Sequence, residues 1–152
     1  MNIVLFEPEI PPNTGNVMRT CAVTGSVLHL VEPLGFELES RHMRRAGLDY
    51  WPRVDIRRYP NMDALLDAIS DAPFYLYTTR ASRRYDRVRY QPGDFLIFGK
   101  ETEGLPEDIL DRFPERCLRV PMLPGNRCLN LSNTVAIVLY EALRQMDFPG
   151  LI

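Results

Sequence analysis

Arg119 to Thr134 reads R-V-P-M-L-P-G-N-R-C-L-N-L-S-N-T, an odd connector between a strand and a helix. Val120-Pro121 closes an apolar run, and Pro124-Gly125 marks a turn. Asn126, Asn130, Ser132, Asn133 and Thr134 then crowd hydrogen-bonding groups ahead of an apolar helix. Thr134 or Ser132 alone can cap that helix, so the other polar side chains need another purpose. Either they staple the loop to itself, or the loop binds a ligand.

On one side of this stretch, Cys117 to Val120 reads as a sixth strand. On the other, Leu131 to Met146 reads as the last helix. The earlier chain alternates in the same way. Short apolar runs at 2–6, 27–31, 54–59, 74–79 and 94–98 read as strands. Asn13 or Thr14 is placed to cap a helix that ends near Gly25, and Asn61 caps one through Ile69. A short arginine-rich helix is expected over Ser40 to Ala46, and Pro106 opens a helix through Leu110. Ala81 to Pro92 is polar, basic and aperiodic, and reads as an exposed loop. This alternation implies one domain, residues 1–152, of α/β class. Its sheet is mainly parallel and six-stranded, with helices on both faces.

Composition narrows the function. Hydrophobic residues make up 45% of the chain and charged residues 25%, as in ordinary globular domains. No apolar run approaches the roughly 18 residues of a membrane span. The start, Met1 to Phe6, lacks a basic leader, so a cytoplasmic location is expected. Cys21, Cys117 and Cys128 are odd in number and lack metal-ligand spacing, so neither a disulfide framework nor a metal site is expected. His29 sits in an apolar run and reads as packing. The net charge is −2, yet 17 of the 18 basic residues are arginine, Lys100 being the exception. They cluster at Arg41, Arg44 and Arg45; at Arg53, Arg57 and Arg58; and at Arg80, Arg83, Arg84, Arg87 and Arg89. Arginine's planar fork suits phosphate, and Tyr85 and Tyr90, interleaved with the last cluster, can stack bases.

In an open α/β sheet, ligands collect beyond the carboxyl ends of the strands. Four segments there are richer in Gly, Pro, Asn or Ser than turns require: Pro8 to Arg19, Thr78 onward, Gly99 to Pro106, and Pro121 to Thr134. In the first, Arg19 is expected within two turns of the positive helix start, where a bound phosphate would offset its cost. A surface ion pair with Glu7 or Glu9 is the plainer reading. In the third, Gly99 and Gly104 permit close backbone approach. Neither a dinucleotide fingerprint nor a Gly-Lys-Ser/Thr phosphate loop is present.

Three motifs then combine: N-T-G-N-x-x-R-T from Asn13, F-G-K-E-T-E-G-L-P from Phe98, and R-V-P-M-x-P-G-x-R-C-L-N-L-S-N-T-V-A-I-V-L-Y-E-A from Arg119. In this order they resemble the knotted SPOUT class of RNA methyltransferases, over the whole chain. The minimal length, the opening N-I-V-L-F-E-P-E-I-P-P-N-T-G-N and R-R-A-G-L-D-Y at Arg44 to Tyr50 are similar to its bacterial members that methylate the ribose of the tRNA wobble nucleotide, cytidine 34 or carboxymethylaminomethyluridine 34.

The resemblance implies a C-terminal deep trefoil knot and a homodimer, each site being completed by the partner's Asn13 to Arg19 segment. It implies S-adenosylmethionine as donor, without a metal. The matching contact positions are Tyr77, Thr78, Gly99, Gly104, Val120, Met122, Cys128 and Leu129, the last four working through backbone. It implies catalytic roles for Arg19, Asn13 and Ser132. Arg19 would grip the phosphate and polarise the 2′-hydroxyl, Asn13 would orient Arg19 or the ribose, and Ser132 and Asn130 would bond the ribose or donor. For Ser132, helix capping is the alternative. Glu101 would hold Arg19 or fix its loop through backbone amides. Cys128 departs from the small residue frequent in relatives, and ribose chemistry needs no thiol. The resemblance implies the tRNA anticodon stem-loop as partner, with no DNA or membrane role expected, and RNA would touch Arg44, Arg45 and the arginines from Arg80 to Arg89. Methylation of another tRNA or ribosomal RNA site fits the same residues, and mapping the methylated nucleotide separates the two. A non-catalytic dimeric RNA-binding protein would instead fail to bind the donor in calorimetry.

Overall fold

The computed structural model describes residues 1–38 and 53–152. The expected helix over Ser40 to Ala46, the segment Arg44 to Tyr50, and Arg41, Arg44 and Arg45 lie outside the described residues. The elements, in chain order, are β1 (Asn2–Phe6), α1 (Pro11–Thr24), β2 (Val27–Val31), β3 (Ile56–Tyr59), α2 (Met62–Ile69), β4 (Phe74–Tyr77), β5 (Phe95–Phe98), α3 (Glu107–Arg112), β6 (Cys117–Leu118) and α4 (Leu131–Gln145). The six strands form one sheet in the order β3-β2-β1-β5-β4-β6, and every ladder is parallel.

Strand alternation explains the layers, since successive side chains point to opposite faces. Ile3 and Leu5 of β1, with Leu96 and Phe98 of β5, pack against Val17, Met18 and Cys21 of α1 and Val135, Val138 and Leu139 of α4. Val4, Phe6 and Ile97 face the other way, against Met62, Leu65 and Ile69 of α2 and Ile109 and Leu110 of α3. Both faces are thus covered by helices, which is why these strands read as nearly continuous apolar runs. Among the described residues, no helix is long and apolar enough to cross a membrane.

Two helix starts behave differently. Asn61 caps α2 as its sequence indicates, its Oδ1 accepting from the Ala64 N–H at 2.8 Å. Helix α1 instead begins at Pro11, with prolines in its first two positions, so Asn13 and Thr14 lie inside the helix rather than at its cap. Proline's fixed φ suits a first turn, and its missing N–H removes a donor that would otherwise lack a partner. The same prolines leave few free amides for an anion. Arg19 is nine residues beyond the cap residue Ile10, roughly two and a half turns. Arg19 therefore lies farther from the helix start than its sequence reading places it.

Segment 81–92 also differs from its reading as an exposed loop. Ala81, Val88 and Tyr90 are buried, and Tyr90 is 2% exposed. The Tyr90 hydroxyl donates to the Tyr85 carbonyl at 2.6 Å and lies 3.0 Å from the Tyr77 hydroxyl. Its backbone N–H donates to Gln145 Oε1 at 3.1 Å. Tyr90 is therefore not available to stack a base. Its burial depends on α4, far away in sequence, so local aperiodicity conceals it.

His29 of β2 is a packed residue. Nδ1 is 3.1 Å from the Tyr59 hydroxyl and Nε2 is 3.0 Å from Asn2 Oδ1. Burial first, and the positive charge of Arg57 second, lower its pKa from 6.5 to about 4. Between those values the unfolded chain binds the proton and the folded chain does not. The His29 contribution is therefore fully present above pH 6.5 and is lost as pH falls towards 4. Urea unfolding across that window is expected to show stability decreasing with acidity, and a His29→Gln variant to lack that part of the slope. Parallel slopes in the two proteins would contradict the assignment.

Candidate active site

The cavity lies beyond the carboxyl ends of β1, β4, β5 and β6, where the sheet's build-out reverses beside β1. Its volume is about 680 Å³. All eight expected donor-contact residues line it: Tyr77 and Thr78 after β4, Gly99 and Gly104 after β5, and Val120, Met122, Cys128 and Leu129 after β6.

The glycine-containing loop 99–104 is tightly closed. Lys100 and Gly104 exchange both backbone hydrogen bonds, at 3.1 and 3.0 Å. A Cβ on Gly99 would stand 2.1 Å from the Gly104 carbonyl carbon. Gly99 thus serves the loop's own closure. Gly104 has φ +76, and a Cβ added there would meet nothing within 4 Å, so it supplies the left-handed turn. Lys100 pairs with Glu7 at 2.6 Å, and that hydrogen bond raises its pKa.

A chain of side-chain hydrogen bonds ties the loops together. The Glu101 carboxylate accepts from the Glu9 N–H at 2.8 Å, the Ile10 N–H at 3.3 Å and Asn13 Nδ2 at 3.0 Å. Asn13 Oδ1 accepts from Asn130 Nδ2 at 2.8 Å. Asn130 Oδ1 accepts from the Ser132 N–H at 2.9 Å, the Ser132 hydroxyl at 2.7 Å and the Asn133 N–H at 3.4 Å. Glu9 returns the tie, accepting from the Thr102 N–H and hydroxyl at 3.1 and 2.7 Å. Each bond to a carboxylate is worth about 1.5–3 kcal/mol where it is shielded from water.

These bonds decide several sequence readings. Asn130 is the cap of α4, in place of Thr134 or Ser132. The buried Ser132 hydroxyl is directed to Asn130, and Ser132 is not among the cavity's lining residues. Glu101 fixes backbone amides, the second of its two expected roles. Asn13 is buried and lines the cavity of its own chain. Arg19 is exposed and lies outside the lining residues. Six helical residues separate it from Asn13, about 9 Å of rise and a rotation of some 240°.

The sequence reading missed other lining residues. Ile10, Thr79 and Arg127 border the cavity; they fall within the candidate ligand segments but are not singled out there. Of the expected RNA-binding arginines, Arg80 pairs with Glu107 and Arg84 with Asp86, whose partners the sequence does not reveal. The Tyr77 hydroxyl, enclosed beneath the cavity, has its pKa raised by burial and then by Tyr90, so it remains a neutral hydrogen-bonding group.

Known proteins are similar to this chain in sequence and in fold. The tRNA (cytidine(34)-2'-O)-methyltransferase of Burkholderia ambifaria is 54% identical over 152 residues, covering 98% of this chain and 97% of its own. A solved putative RNA methyltransferase from Bacillus anthracis is 43% identical with a TM-score of 0.93, covering 99% of this chain and 96% of that one. Another, described as giving structural insights into the 2-OH methylation of C/U34 on tRNA, is 45% identical with a TM-score of 0.92, covering 96% and 95%. The SpoU rRNA Methylase family model matches residues 1–140, and with relatives this similar along their whole length the chain belongs to that family.

Proposed function

We propose that this chain is a tRNA methyltransferase that transfers a methyl group to the ribose 2′-hydroxyl of the wobble nucleotide, cytidine 34 or carboxymethylaminomethyluridine 34. The observation that carries the reading is a formed cavity, lined by every expected donor-contact residue, in a chain 54% identical to a relative bearing that name. It works as a single cytoplasmic domain.

The cavity fits S-adenosylmethionine. Val120, Met122, Leu105 and Leu129 offer apolar walls, and Gly104 leaves its backbone open to close approach. When bound, S-adenosylmethionine supplies a methyl group activated by a sulfonium. The protein's own work is then positioning and help with the hydroxyl proton. Asn13 and Ser132 act by holding Asn130 at the cavity wall. Arg19 grips the phosphate beside the target ribose and polarises its hydroxyl. A guanidinium donates but does not accept hydrogen bonds, so the proton leaves late or through water.

Arg19 reaches a site across a homodimer. Val23, one turn on from Arg19, is exposed, as are Ile137 and Tyr140 of α4 and Phe148. Helix α4 packs on α1; a second copy covers these exposed apolar residues and brings Arg19 to the partner's cavity. A deep trefoil knot belongs to the same reading. After edge strand β6 the chain returns past β4 and β5 to reach α1, and segment 121–130 is the return path.

Nucleoside mass spectrometry of tRNA from cells lacking this protein is expected to show 2′-O-methylation lost at position 34. Loss at a different nucleotide, with position 34 unchanged, would move the target elsewhere.

A further inference from the structure

We infer that Glu101 is a positioning residue, coupling the cavity to α1 through a hydrogen-bond relay of fixed polarity. The inference rests on the methyltransferase reading for its activity readout, but the relay is a property of the folded chain.

The polarity follows from one unambiguous donor. The Ser132 backbone N–H can only donate, so the Asn130 atom facing it at 2.9 Å is the oxygen. Asn130 Nδ2 must then be the atom directed at Asn13, which receives it on Oδ1 at 2.8 Å. That leaves Asn13 Nδ2 directed at Glu101, 3.0 Å away. Three donors converge on Glu101: two backbone N–H groups and this amide. Only a group accepting on both oxygens satisfies all three.

The relay joins the loop after β5, the start of α1 and the start of α4. Helix α1 has no side-chain cap of its own, and prolines occupy its first two positions. Its entry is held by Glu101, from the loop after β5, together with the Glu9 bonds to Thr102 of the same loop. At the other end, Asn130 caps α4 and lines the cavity. A displacement at Glu101 therefore shifts α1, and with it Arg19, relative to the cavity. Glu101 touches the backbone and Asn13, so its effect on catalysis passes through other groups.

Replacing Glu101 with glutamine keeps the shape and turns one acceptor into a donor. The new amide must oppose either the Glu9 N–H or Asn13 Nδ2. The Glu101→Gln variant is expected to lose roughly 10- to 100-fold in kcat, with the calorimetric Kd for S-adenosylmethionine changing less than about threefold. Asn13→Asp alone opposes a second carboxylate to Glu101 and is expected to lose as much. When Glu101→Gln and Asn13→Asp are combined, the amide introduced at position 101 donates to the carboxylate introduced at position 13. That carboxylate still accepts from Asn130, and at least about tenfold of the kcat loss is expected to return.

Two results would overturn the inference: a double variant no better than either single one, or a donor affinity that falls in step with kcat, which would place Glu101 on the donor itself. Amide hydrogen exchange at Glu9 and Ile10 tests the relay without any activity. It is expected to accelerate in Glu101→Gln and recover at Glu9 in the double variant, and unchanged exchange would likewise overturn the relay. If the wild-type protein binds the donor but methylates no tRNA, the functional reading fails while the exchange experiment still decides the relay.

Discussion

Arg19→Ala is expected to reduce methyl incorporation into tRNA by roughly 100- to 1,000-fold, the usual effect of removing a group that stabilises developing charge at a reacting centre. Stability is expected to change little. The side chain is exposed on α1, whereas the helix is anchored by the buried Val17, Met18 and Cys21. Circular dichroism and thermal melting therefore serve as controls. Donor affinity is also expected to hold, because Arg19 is not among the residues lining its own chain's cavity. Full retention of activity would remove Arg19 from the mechanism.

The same variant tests the shared site. If Arg19 acts in the partner's cavity, a mixed dimer of one Arg19→Ala protomer and one protomer with a disabled cavity contains one site with neither defect. Mixing two inactive proteins is then expected to restore activity, towards a quarter of wild type for random exchange between equal amounts. No recovery despite verified exchange would place Arg19 at its own chain's cavity, which would require α1 to turn so that it reaches about 9 Å and 240° back.

Much of this molecule is legible in its sequence, for identifiable reasons. The buried strands carry their signal locally: Asn2–Phe6 and Val27–Val31 have the bounds the apolar runs indicate. The cap at Asn61 is likewise a short-range hydrogen bond. What escapes depends on distant partners. Asn13 reads as a helix cap because Asn commonly is one. Its actual partners are 88 and 117 residues away, and the two prolines before it set the helix start. Tyr90 reads as exposed because its burial is set by Tyr77 and Gln145. The cavity residues are legible only as a set of motifs, since no single loop distinguishes donor binding from an ordinary turn.

Gly99→Ala is expected to be the most damaging small substitution in the cavity, and Gly104→Ala a mild one, although the two glycines close the same loop. The difference is steric. A methyl group at 99 would lie 2.1 Å from the Gly104 carbonyl carbon, 2.2 Å from the Leu105 nitrogen and 2.5 Å from the Gly104 oxygen. All three atoms are backbone, so no side-chain rotation relieves the contact. The paired Lys100 and Gly104 hydrogen bonds must part, pulling Glu101 from the Glu9 and Ile10 amides. Overpacking costs about 1–3 kcal/mol, and a contact this close stands at the upper end, a fall in Tm of roughly 6–12 °C for a chain of this size. Donor binding is expected to become undetectable in calorimetry, because the loop forms one wall of the cavity. At Gly104 an added methyl meets nothing within 4 Å, and the strain comes only from φ +76. That conformation costs a non-glycine residue about 1–2 kcal/mol, so the protein is expected to fold, bind donor within a few-fold and lose only about 2–8 °C in Tm. Equal losses at the two positions would show that backbone conformation, rather than close contact across the loop, governs the site.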